Sequence, residues 1–178
     1  MNSDALESRL REAIRDIPDF PKPGIRFKDI TTVLLEPGLF RDTLDALTEW
    51  AEKHEAHKIV GVDARGFLFA APVADRLRIG LVPVRKLGKL PYDTLQESYD
   101  LEYGVNTLEV HTDAVEEGER VVVIDDLLAT GGTIRAAASL VEGLGGVIAG
   151  AGFVVELGFL DGRAQIGDYE CFSLVNFE

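Results

Sequence analysis

Two periods of hydrophobic residues divide the chain. Leu6, Leu10, Ala13, Ile14 and Ile17 recur at helical spacing and predict a first helix, which Pro18, Pro21 and Pro23 end. Leu39 or Phe40, Leu44, Leu47 and Ala51 mark a second amphipathic helix with Trp50 at its edge. From residue 58 short β-branched runs take over. Lys58–Val62, Leu81–Val84, Leu108–His111, Val121–Ile124, Val147–Val155 and Tyr169–Val175 read as strands. A helical segment follows Asp63–Phe67 and reaches Asp75 or Arg76. Another presents Ile134, Ala138, Val141 and Leu144 on one face and ends at Gly145-Gly146. Leu160–Arg163 reads as a loop. Gly88 and Pro91 open a long polar stretch, Tyr92–Asp100, whose length predicts a flexible flap.

Strands alternating with helices predict an α/β fold, a central parallel sheet flanked by helices. With 178 residues the chain suits a single domain spanning 1–178. Ligands in such folds gather at the carboxyl ends of the strands, and three turns there carry chemistry.

The first is Asp125-Asp126-Leu127-Leu128-Ala129-Thr130-Gly131-Gly132-Thr133, running from a buried strand into a helix. Glycines let the backbone approach an anion, and the unpaired N–H groups of a helix start point at it. Thr130 and Thr133 add hydroxyl donors. Asp125 and Asp126 repel a phosphate but suit ribose hydroxyls or a hydrated cation. Neither a Walker A loop nor GxGxxG is present. At the second turn, Asp63-Ala64-Arg65-Gly66, an arginine beside a helix start suits a second anion. At the third, Arg85, Lys86 and Lys89 place three cations in five residues.

That cluster stands out because the net charge is −13. Such acidity argues against nucleic acid or an anionic membrane as partner. No apolar run reaches membrane-spanning length, and the polar, acidic N-terminus is unlike a secretory signal. The single cysteine, Cys171, has apolar neighbours and reads as a core thiol; with no partner for a disulfide it fits a cytoplasmic setting. His54 and His57 are three apart without a third ligand and read as a solvated helix end, not a metal site.

The Asp125–Thr133 stretch closely resembles the phosphoribosyl pyrophosphate (PRPP) motif of the type I phosphoribosyltransferases. Three other strings are similar to the adenine phosphoribosyltransferases in particular: Asp19–Thr31, Lys89-Leu90-Pro91, and Leu101-Glu102-Tyr103-Gly104 followed by Leu108-Glu109-Val110-His111. The likeness runs from about Asp19 to Phe177. It implies the type I fold with a small N-terminal hood, to which residues 1–35 contribute, and transfer of the phosphoribosyl group of PRPP to adenine, giving AMP and pyrophosphate with Mg²⁺. It implies ribose and phosphate contacts from Asp125, Asp126, Ala129, Thr130, Gly131, Gly132 and Thr133, and pyrophosphate contacts from Arg65, Arg85, Lys86 and Lys89. Ile25, Arg26 and Phe27 would surround the purine, and Glu102 would take part in proton transfer. No metal ligand is assigned, because PRPP itself would hold most of the Mg²⁺. The Asp63–Ala64 peptide is often cis in these enzymes, and a homodimer is expected. Where this chain has Ala129, the 6-oxopurine transferases commonly carry an aspartate. Two alternatives stay open: a transferase for another base, and a PRPP- or purine-binding regulator. The second is disfavoured by acidity and by the roughly eighteen residues before the hood, too few for a DNA-binding region.

Overall fold

The computed structural model describes residues 3–101 and 104–178. Helix α1 (Ser3–Ala13) leads into a two-stranded antiparallel ribbon, β1 (Arg15–Pro18) with β2 (Arg26–Asp29). Ile17 therefore lies in a strand opposite Phe27 rather than in the first helix. The helix ends at Ala13, five residues before Pro18, because the chain pairs as a strand from Arg15 onward. A short helix α2 (Thr31–Leu35) precedes α3 (Pro37–Glu52). The start of α3 is set locally: Pro37 fits the first helical turn, and the Glu36 carboxylate accepts the N–H groups of Gly38 and Leu39.

Next come β3 (Lys58–Val62), α4 (Phe67–Leu77), β4 (Gly80–Lys86), β5 (Thr94–Leu101), β6 (Gly104–His111), β7 (Arg120–Leu128), α5 (Gly132–Gly143), β8 (Val147–Leu157), a 3₁₀ turn (Gly158–Leu160), α6 (Gly162–Ile166) and β9 (Cys171–Phe177). Among the described residues the main sheet has seven strands in the order β5-β6-β4-β3-β7-β8-β9. Strands β4, β3, β7, β8 and β9 run parallel, as expected, while the β5–β6 hairpin joins β4 antiparallel.

Most of the stretch expected to be a flexible flap is thus strand β5. Its polarity misleads because alternate residues face opposite ways. Gln96 and Ser98 are exposed, while Leu95 and Tyr99 pack against the apolar cluster under α5. The expected loop at Leu160–Arg163 is likewise ordered, as the 3₁₀ turn and α6.

Two apolar cores lie on the two faces of the sheet. One joins α1, α3 and α4 through Leu10, Leu47 and Phe69; the other joins α5 and the hairpin through Ile134, Leu140 and Leu108. Trp50 is buried and stacks on Phe172, with ring centroids 5.4 Å apart. His54 is buried against Trp50, and His57 accepts the Arg120 N–H through Nδ1. His57 is exposed, as expected of a solvated helix end, whereas His54 is packed into the core edge instead. Cys171 is half-buried, and burial raises its thiol pKa.

Candidate functional site

The parallel arrangement brings the ends of β3, β4 and β7 to one rim, where a cavity of about 410 Å³ opens. Asp63, Ala64 and Arg65 line it from the turn after β3, and Lys86 from the end of β4. Asp125, Asp126, Ala129, Thr130, Gly131 and Thr133 line it from β7 and the turn into α5. Gly132 is the first residue of α5. All three strand-end turns picked out in the sequence therefore meet at one site. The Asp63–Ala64 peptide is cis, as the resemblance implies.

Asp125 and Asp126 are 8% and 5% exposed. Burial, then the neighbouring Asp126 charge, raises the Asp125 carboxyl well above the usual carboxylate range. Burial also raises Asp126, against the opposing pull of Arg65. The Arg65 Nε lies 2.8 Å from Asp126 Oδ2, and its guanidinium lies 5.3 Å from the centre of the Phe27 ring. One side chain thus links the hood ribbon to the carboxylate pair.

Gly131 has φ +86°, the left-handed region that side chains rarely adopt, at the cap of α5. A Cβ there would stand 2.4 Å from the Gly162 carbonyl oxygen. Its missing side chain therefore makes room for α6 as well as for an approaching anion. In turn α6 is fixed from behind, where Arg163 donates Nε and Nη2 to the two Glu156 oxygens at 2.7 Å each.

The remaining expected residues lie further out. Arg85 donates Nε to Asp63 Oδ2 at 3.2 Å and Nη1 to the Lys89 carbonyl at 3.1 Å, fastening two turns together. Neither Arg85 nor Lys89 is among the cavity-lining residues described. Ile25, Arg26 and Phe27 also stand outside that lining. Ile25 is exposed, Arg26 pairs with Asp16, and Phe27 packs edge-on to Phe20. Glu102 lies outside the described residues.

Sequence reasoning missed Tyr99, Asn106 and Leu108, which the hairpin brings to the cavity. Thr133 donates its hydroxyl to the Tyr99 oxygen at 3.1 Å, joining the hairpin to the start of α5. The apolar–polar alternation Leu95, Gln96, Glu97, Ser98, Tyr99 was the available signal, but it is diluted by Glu97.

A family model for the phosphoribosyl transferase domain matches residues 40–178. The adenine phosphoribosyltransferase of Kosmotoga olearia is 52% identical over 168 residues, covering 94% of this chain and 99% of that protein. The one from Desulfitobacterium hafniense is 55% identical over 164 residues, covering 92% and 95%. The crystal structure of the Thermoanaerobacter pseudethanolicus adenine phosphoribosyltransferase superposes with a TM-score of 0.93 at 53% identity, over 96% of this chain and 99% of that one. The Saccharomyces cerevisiae adenine phosphoribosyltransferase, solved with an imino-altritol bisphosphate and adenine, gives 0.91 at 38% identity, over 96% and 99%.

Proposed function

We infer that this chain, which belongs to the adenine phosphoribosyltransferase family, works through the cavity at the ends of β3, β4 and β7. It is a pentosyltransferase of purine salvage: it transfers the phosphoribosyl group of PRPP to adenine, giving AMP and pyrophosphate. The observation that carries the site assignment is the meeting of two kinds of chemistry in one cavity. A buried carboxylate pair and a glycine-capped helix start share it with Arg65 and Lys86.

The 5′-phosphate takes the N–H groups at the start of α5 and the hydroxyls of Thr130 and Thr133, with Ala129, Gly131 and Gly132 leaving room for it. Asp125 and Asp126 accept hydrogen bonds from the ribose hydroxyls. As the diphosphate leaves, negative charge grows on it and positive charge on the sugar. Arg65 and Lys86 meet the first, with Arg85 and Lys89 supporting from the adjoining turn, and the aspartates favour the second.

The divalent ion is Mg²⁺, which when bound with PRPP neutralises diphosphate charge. No group of three or more His, Cys, Asp or Glu side chains among the described residues forms a metal cage. In this reading the ion is held mainly by PRPP oxygens, with Asp125 and Asp126 nearby. The hood built by residues 1–35 covers the base, and backbone groups of Ile25, Arg26 and Phe27 pair with its amino-purine edge. Glu102 accepts the N9 proton as the base attacks. The working form is a cytoplasmic homodimer; exposed Leu35, Leu68 and Leu81 supply apolar surface for a partner copy, and Cys171 is a free thiol. Sedimentation as a monomer at micromolar concentration would remove the dimer from this account.

Turnover of PRPP with a panel of bases tests the rest. A site that pairs with the amino edge rejects an oxo analogue by about 10⁴-fold or more in kcat/KM, because buried groups are left unpaired. Comparable efficiency on hypoxanthine would overturn the adenine-edge pairing. In the same assay Glu102→Gln lowers kcat more than it changes KM; a normal kcat removes Glu102 from the chemistry.

A further inference from the structure

Glu109 lies on β6 between buried Leu108 and Val110 and is only 2% exposed. A buried carboxylate is costly unless its partners are fixed, and those of Glu109 are mostly backbone. Its Oε1 accepts the Lys89 N–H at 2.7 Å and the Leu90 N–H at 2.8 Å. Burial alone would raise its pKa, yet the N–H groups of Leu90, Lys89 and Gly88 and the Thr94 side chain hold it below the usual range.

Those N–H groups belong to the turn that leaves β4. Leu87, Gly88 and Lys89 are exposed, so little side-chain packing holds this turn. Its other ties are the Leu87 N–H to the Thr107 carbonyl at 3.0 Å, and Arg85 to the Lys89 carbonyl. The register sets Arg85 opposite Glu109 and Lys86 opposite Leu108. Lys86 and Leu108 line the cavity, while Glu109 is held away from that lining.

We propose that Glu109 is a positioning residue for the pyrophosphate side of the site: its carboxylate clamps the Gly88–Leu90 backbone and so fixes where Lys86 presents its ammonium. The inference rests on the reading above, in which Lys86 meets the leaving diphosphate. Glu109 touches no substrate. Its charge also offsets the Arg85, Lys86 and Lys89 cluster before an anionic ligand arrives.

The test compares calorimetric affinities for two probes. Pyrophosphate uses the clamped turn, whereas AMP uses the cradle and base site without it. Glu109→Ala strips the acceptor from at least two N–H groups and weakens pyrophosphate by about tenfold, with AMP affinity kept within about twofold. Glu109→Gln keeps an oxygen at the Oε1 position, and the pyrophosphate loss shrinks to about two- to threefold. In turnover, KM for PRPP rises in the same order while kcat changes little. Equal weakening of AMP and pyrophosphate would mean general distortion and overturn the proposal, as would unchanged pyrophosphate affinity. If Glu109→Ala does not fold, Glu109→Gln decides, its pyrophosphate affinity either falling selectively or refuting the clamp. A wild-type protein that binds neither PRPP nor pyrophosphate refutes the transferase reading itself, which separates that failure from a failure of Glu109.

Discussion

Replacing Gly131 by alanine sets two costs on one residue. The first is conformational: at φ +86° a side chain costs about 1–2 kcal/mol. The second is a collision. The new Cβ would stand 2.4 Å from the Gly162 oxygen, 1.0 Å short of the 3.4 Å at which ordinary contact begins, and 2.9 Å from Gln165 Cβ. Neither obstacle is a free chain end, because Arg163 ties α6 to Glu156. Relieving such overpacking costs about 1–3 kcal/mol. Gly88→Ala provides the control, since Gly88 has φ +78° but nothing within 4 Å of its added Cβ. Urea unfolding followed by far-UV circular dichroism gives both losses. Gly131→Ala falls by about 2–5 kcal/mol and Gly88→Ala by about 1–2 kcal/mol, the first shared strain and the rest the collision. AMP affinity falls only in Gly131→Ala. Equal destabilisation of the two variants would refute the argument that α6 braces the cradle.

If Arg65 meets the diphosphate as proposed, Arg65→Ala weakens PRPP and pyrophosphate by about tenfold or more and free adenine far less, because a cation is lost from the cavity; equal weakening of all three ligands in calorimetry would mean a purely structural role. Asp125→Asn should stabilise the protein while impairing PRPP binding. Asp125 has a folded-state pKa raised by burial and by Asp126, so the native state binds the proton more readily than the unfolded chain. Stability then falls as pH rises from the ordinary carboxylate range through the raised folded value, and the asparagine removes that loss. Thermal melts from pH 4 to pH 8 check it: the variant melts about 2–4 °C higher at pH 8, equivalent to about 1 kcal/mol for a chain of this length, and the advantage disappears toward pH 4. A variant less stable at pH 8 would sink the idea.

The central parallel strands β3, β7 and β8 were legible because they are buried on both faces and read as continuous apolar runs, as in Val121–Ile124. The cradle was legible because strand, carboxylates, glycines and helix start follow one another within a single stretch. The hairpin was not, since β5 is a sheet edge with polar residues on its open side, and edges carry a weak pattern. Helix α6 escaped because it is only five residues long, with Gly162 and Ile166 buried and little periodicity to detect. The tie from Arg85 to Asp63 joins residues 22 apart, and no spacing rule reveals it. Glu109 left the clearest overlooked trace, a lone carboxylate between two buried apolar residues of one strand.

Registration of the hairpin makes it a ruler with discrete graduations. Its anchor is fixed where Arg85 pairs with Glu109 and Lys86 with Leu108, and the pairing runs out to Leu101 and Gly104. Each residue pair added between anchor and tip advances the tip by about 3.4 Å and reverses which side chains face α5. Only even additions keep the faces of Leu95 and Tyr99 inward, so descendants of such a chain can lengthen the arm only in steps of about 7 Å. The length of the arm therefore changes in jumps, whereas the parallel half of the sheet, with the glycine-capped start of α5, can be inherited unaltered.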